Sequence, residues 1–172
     1  MKINYYGFRA IYLHEMDRFR RTLLQSLISP VLSTSLYFIV FGSVIGNYVQ
    51  NIDGISYGSY IVPGLIMLTL LTQSISNTSF GIFFPKFTGH IYEILAAPIS
   101  TFEMVLAFVG AGATKTIIIG AVIFLTSMYF VEVSVLHPFL MIFLLVLVSF
   151  TFALFGFLIG LMSSNFEQMS II

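Results

Sequence analysis

Residues 23–48 contain no charged side chain. A helix needs about 20 residues to cross a hydrocarbon layer roughly 30 Å thick, at about 1.5 Å per residue. A run of twenty-six uncharged positions exceeds that length. Two further uncharged runs follow, residues 58–84 and 138–163. Inside a bilayer every backbone amide must be paired within its own segment, so such runs are read as α-helices. A third apolar stretch, between the second and the last, carries Glu103 and Lys115. The expectation is an all-α polytopic membrane protein with an N-terminal amphipathic interfacial helix and four transmembrane helices. It forms one domain: the interfacial helix at 1–21, spans at 22–49, 59–84, 104–131 and 138–163, and a connecting loop at 85–100.

Composition agrees with this. Charged residues are 8% of the 172, where soluble domains carry about a quarter. Seven basic residues balance seven acids, so no nucleic-acid partner is indicated. There is no cysteine, which excludes thiolate metal sites, thiol nucleophiles and disulfides. The first apolar run begins only after Arg21 and is too long for a cleavable signal.

Before that run, Tyr5, Phe8, Tyr12, Met16, Phe19 and Leu23 recur at steps of three and four, one face of a helix. Arg9, Asp17, Arg18, Arg20 and Arg21 fall mostly elsewhere on it. A basic amphipathic helix beside a span belongs in the membrane interface. Glu15 sits beside the apolar stripe, with Arg18 three residues on as an ion-pair partner. The same helix is equally consistent with a solvated segment whose charges only fix topology.

Within the spans, Pro30 lies near the start of the first, where a kink is tolerated. Gly42 and Gly46 form a GxxxG in the first span, and Gly156 and Gly160 form another in the fourth. Both spacings allow a second helix to approach closely, within the chain or in a dimer. The second span is polar in its middle, from Thr69 through Gln73 and Asn77 to Ser79. Such side chains bond neighbouring helices or line a path for a polar substrate; interhelical packing is the simpler account. Counting back about 20 residues from Glu132 starts the third span near Gly112. Lys115 is then expected in its first turn, snorkelling to the interface, with Gly110 and Gly112 as a flexible joint. The alternative puts Lys115 deeper, facing water or paired with an acid.

Five of the lysines and arginines precede the first span, none lies in residues 50–57 or 131–137, and Lys86 lies in the loop between the second and third spans. The positive-inside rule then places the N-terminus, that loop and the C-terminus in the cytoplasm. The loop, residues 85–100, is PKFTGHIYEILAAPIS. Its prolines, Pro85 and Pro98, suggest the end of one element and the start of another. Thr88 to Leu95 fits about two helical turns, with Thr88 as cap and Ile91, Ile94 and Leu95 as an apolar stripe. It reads either as a solvated hairpin or as a surface that another protein touches.

Chemistry is sparse. His14, His90 and His137 are scattered, and His90 with Glu93 lacks the second such pair that a di-iron bundle needs. There is no Gly-rich loop followed by Lys-Ser/Thr, so a nucleotide is not bound by that route. No metal, cofactor or catalytic set is expected.

Several ordered motifs resemble the permease subunits of type-2 ABC exporters. They are HEMDRFRR before a proline-containing first span, LYFIVFGSVIG at that span's end, YIVPGL at the entrance of the second, and TGHIYEILAAPIS after it. The last is the most specific. It is similar to the family's Gly-x-Ile-Glu/Tyr-x-Leu-Leu-x-x-Pro-Ile-Ser segment. The resemblance implies a transport subunit of the bacterial inner membrane, not itself an enzyme, paired with a second permease subunit as a homodimer and embedded in membrane lipid. Energy would come from cytoplasmic ABC ATPase subunits, and the cargo would be a drug, lipid or glycan-type amphiphile. It also implies that Gly89, Ile91, Tyr92, Glu93, Leu95 and Pro98 form the ATPase-coupling segment, with Glu15 and Arg18 in the interfacial helix. The family often has arginine where this chain has Lys115, which keeps the charge but loses the fork of donors. It usually has six spans, so the expectation is a permease domain incomplete at its C-terminus. Outside the family, a gradient-driven carrier using Lys115 or Glu132, or a membrane scaffold docking a cytoplasmic partner, fits the same composition.

Overall fold

A computed structural model of the chain describes residues 4–45, 51–52, 55–131 and 135–170. Helix α1 spans Tyr5–Arg21, and α2 spans Leu23–Tyr37 and continues as π-helix over Phe38–Ile45. Two short antiparallel strands, β1 (Asn51–Ile52) and β2 (Ile55–Ser56), lead into α3 (Tyr57–Thr88). The short α4 (Ile91–Ala96) links it to α5 (Thr101–Phe130), then α6 (Pro138–Met162) and α7 (Phe166–Ser170). Four of these helices are long and apolar enough to cross a membrane, α2 with its extension, α3, α5 and α6. The protein is a multi-pass α-helical membrane protein.

The bundle is built around α3 and α5. Leu70 lies against Gly120 and Thr78 against Gly112, so the two helices run antiparallel. Helix α6 runs parallel to α3, with Ser74 donating to the Ser149 carbonyl at 3.1 Å, Gly156 against Ile75 and Gly160 against Ser79. A Cβ on Gly156 would lie 2.5 Å from the Ile75 carbonyl oxygen, so only glycine permits this approach. The fourth-span GxxxG thus packs within the chain. Gly46, of the first-span motif, lies outside the described residues, as does Glu132.

Helix α1 does not lie apart from the bundle. The pairs Asn4 with Glu103, Tyr12 with Thr114 and Glu15 with Lys115 advance together along both helices, so α1 runs parallel to the first half of α5. Its buried face is Ile11, Glu15 and Phe19, with Phe8, Met16 and Leu23 partly buried beside it. Tyr5, expected in the stripe, is exposed. The spacing of three and four left the centre of the face open by one residue. Glu15 can occupy it because a cation meets it there.

Three local expectations are corrected. Helix α3 runs through Pro85 to Thr88, so Pro85 does not end it and Thr88 does not cap α4. Proline removes only one amide, the donor that would reach the Gly81 carbonyl, and a helix among neighbouring spans tolerates that loss. The Thr88 hydroxyl instead donates back to the Phe84 carbonyl at 3.0 Å, and Gly89 ends the helix at φ 83°. The joint expected at Gly110 and Gly112 is absent, since α5 is continuous there and Gly112 receives the Thr78 side chain.

Candidate functional site: the junction of α1, α3, α4 and α5

With thirty residues, α5 is about 45 Å long, some 15 Å more than the hydrocarbon layer requires. Helices α1 and α4 pack at its N-terminal end. Ser100 caps α5: its hydroxyl accepts from the Glu103 amide at 3.3 Å, and its own amide donates to Glu103 Oε2 at 2.8 Å. The other carboxylate oxygen, Oε1, accepts from the Asn4 amide at 2.6 Å, and Asn4 caps α1 by accepting from Gly7 at 3.2 Å. One carboxylate therefore holds the starts of two helices. The Asn4 amide side chain also donates to the Pro98 carbonyl at 3.0 Å, tying α1 to the end of the loop.

Three turns further on, Glu15 Oε2 takes two cations, the buried Lys115 Nζ at 2.7 Å and the partly exposed Arg18 Nη2 at 2.8 Å. Glu15 is 2% exposed and Lys115 3%. The expected snorkelling of Lys115 is overturned, and the alternative, pairing with an acid, is what the structure shows. Gly81 makes room: a Cβ there would lie 3.3 Å from Glu15 Oε2. The Arg18 guanidinium lies over the Phe80 ring, 5.3 Å from its centroid. The cluster thus joins α1, α3 and α5.

Two cavities flank it. One, of about 490 Å³, lies between α1, the end of α3 and α4, and is lined by His14, Glu15, Arg18, Pro85, His90 and Glu93 among others. The second, of about 580 Å³, lies between the α1–α2 corner and α3 and is lined by Arg18, Gln25, Ser26, Asn77, Ser79 and Lys115 among others. Glu15 and Arg18 line the first, Arg18 and Lys115 the second.

The coupling residues named from sequence gather on and around α4. Ile91 and Ile94 pack against the core with Phe8 and Ile99. Tyr92, 74% exposed, and Leu95, 59% exposed, face outward with Glu93. Gly89 and Pro98 bound the segment. Several contributors escaped the sequence reading. Lys86 donates to the Leu161 and Ser163 carbonyls at 2.7 and 2.9 Å, holding the end of α6. Phe166 sits edge-on to Phe83 and Phe87, fixing α7 on α3. Glu103 had a legible signal, the Ser-x-x-Glu capping box at 100–103.

Residues 6–172 match the family model described as ABC-2 type transporter. The chain is 34% identical over 173 aligned positions to the inner membrane transport permease YadH of Escherichia coli K12, covering 100% of this chain and 67% of that protein. The same figures hold for YadH of Escherichia coli O157:H7 and of Shigella flexneri. No solved structure matches the chain. With the family model spanning nearly all of it, this chain belongs to the ABC-2 type transporter family and is a permease of that kind.

Proposed function

We propose that the chain is the membrane-embedded permease part of an ATP-driven exporter in the bacterial inner membrane, with its N-terminus in the cytoplasm. A separate cytoplasmic ABC ATPase supplies the energy, a second permease subunit completes the pathway, and the cargo is a drug, lipid or glycan-type amphiphile. The carrying observation is the Glu15–Lys115–Arg18 cluster beside α4, in which Glu15 and Lys115 are buried. It gives the loop a mechanical route into the spans. A push on Tyr92, Glu93 or Leu95 moves α4, whose Ile91 and Ile94 bear on the face where α1 meets α5. Helix α1 then carries the displacement along α5 through its ionic contact. A short helix with exposed apolar residues suits a groove in the ATPase. Lys115, engaged with Glu15, is poorly placed as the free titrating group of a gradient-driven carrier.

The test is co-purification with the ATPase encoded beside the permease, with and without replacement of residues 88–100 by a Gly/Ser linker. The proposal expects retention of the ATPase that depends on the loop. Well-folded permease that retains no ATPase, or retains it equally without the loop, contradicts it. Glu93→Arg is expected to abolish cargo-stimulated ATP turnover while leaving membrane insertion intact.

A further inference from the structure

The larger cavity has a charge that the bundle does not balance. Two cations, Arg18 and Lys115, share one carboxylate oxygen of Glu15. The cluster therefore carries one net positive charge. Among the described residues neither cation has a second acceptor, although Lys115 offers three N–H donors and Arg18 five. Both line this cavity, and Lys115 is 97% buried there, with 3% exposure. Ser79 lines it too, and its buried hydroxyl has no hydrogen-bond partner among the described residues. Arg18 is partly exposed, its side chain 28% accessible, whereas the Lys115 ammonium and the Ser79 hydroxyl are buried, and buried donors are costly unless something accepts from them.

The position of the cavity narrows what that acceptor is. It lies where α1 ends and α2 begins, at Phe19, Thr22 and Gln25, the point of entry into the apolar core. Its wall is mixed, with Ile75 and Phe80 beside Asn77 and Ser79. The α2 side bears on α5 through Leu27 and Val31, and this half of α2 leaves the space beside α3 open. An occupant with a small oxyanion and an apolar tail matches donors on one side and the membrane on the other.

The geometry points to a binding site for the anionic headgroup of a membrane amphiphile, its oxyanion held by the free donors of Arg18 and Lys115 and by Ser79. This requires that the chain sit in a membrane, and it does not depend on export or on an ATPase. The tail lies along α2 and α3, and the headgroup brings the cluster to neutrality.

The test uses this chain in phosphatidylcholine nanodiscs, titrated with dioctanoyl phosphatidylglycerol, dioctanoyl phosphatidylcholine and inorganic phosphate. Saturable binding of the phosphatidylglycerol is expected, about tenfold tighter than the phosphatidylcholine, as one charge-assisted contact provides. Arg18→Met removes the net charge but leaves the Glu15–Lys115 pair, and is expected to abolish that preference. Arg18→Lys and the double variant Glu15→Gln with Lys115→Met both keep one net positive charge, and are expected to retain it. Asn77→Leu, which fills the cavity without changing charge, is expected to weaken binding of the lipid. Thermal unfolding of each variant certifies that it is folded. Equal binding of the two lipids, undiminished preference in Arg18→Met, or inorganic phosphate binding as tightly as the anionic lipid would each overturn the assignment.

Discussion

The seam between α3 and α6 and the seam between α1 and α5 hold helices together by different means. At the first, Gly156 and Gly160 bring backbone against backbone, with Ser74 donating to the Ser149 carbonyl and Lys86 to the Leu161 carbonyl across it. Lipid is as apolar as leucine, so close van der Waals contact is what favours such a pairing. At the second, Ile11 and Phe19 pack on α5 and long-range charge and hydrogen-bond contacts are added to them, from Asn4 and Glu103 at one end to Glu15, Arg18 and Lys115 further along. At the glycine seam backbone meets backbone, which holds the two helices to one geometry. The ionic seam has long side chains that reach their partner over a range of helix positions. A transporter needs both kinds, an anchored pair of spans and a joint that stays engaged while it moves. Lys86 and Phe166 reinforce the anchored side, binding the end of α6 and α7 to α3.

The largest effect is expected from removing the hub of the ionic seam. Glu15→Ala leaves the buried Lys115 and the partly exposed Arg18 without their carboxylate and is expected to cost about 3–5 kcal/mol, read as unfolding of the purified protein. Lys115→Met leaves Glu15 paired with Arg18 and is expected to cost clearly less. A Lys115→Met variant less stable than Glu15→Ala would show that the carboxylate is not the hub. On the glycine seam, Gly156→Ala forces a methyl group onto the Ile75 backbone and is expected to cost about 1–3 kcal/mol. Gly110→Ala, where a methyl group meets nothing within 4 Å, is the matched control and is expected to leave the thermal midpoint unchanged. A smaller loss than at Gly156 is expected for Glu103→Ala, which breaks the α5 capping box and the contact to Asn4. Its distinctive signature is faster amide exchange at the starts of α1 and α5 together, whereas exchange at α5 alone would dissociate the two helix starts.

The glycine seam and the spans were legible because their signals are local. Three uncharged runs and one apolar stretch with two charges set the number of spans, and the Gly-x-x-x-Gly at 156–160 marks a close approach. The ionic seam was only half legible. Glu15 with Arg18 is an i, i+3 pair visible in one helix, whereas Glu15 with Lys115 joins residues a hundred positions apart. An acid in the middle of an apolar face looks like an error in phase until its cation is known. Periodicity alone accordingly centres the stripe around Tyr5 and Tyr12 and sends Lys115 to the interface. The end of α3 is hard to place for a different reason: Pro85 reads as a helix end because it removes one amide donor, yet α3 forgoes only that bond and runs on to Thr88, where Gly89 ends it. The cap on Glu103 lay in plain view but points to its second partner, Asn4, only in three dimensions.

The central claim is that the ionic seam transmits motion while the glycine seam only anchors. The direct measurement is cargo-stimulated ATP turnover of the permease assembled with its ATPase, for Glu15→Lys, Lys115→Glu, both together, and Gly156→Ala. The account predicts loss of stimulation in each single reversal, recovery in the double, and unchanged stimulation per folded molecule in Gly156→Ala. Stimulation that survives either single reversal in folded protein, or a loss in Gly156→Ala as deep as theirs, would contradict it.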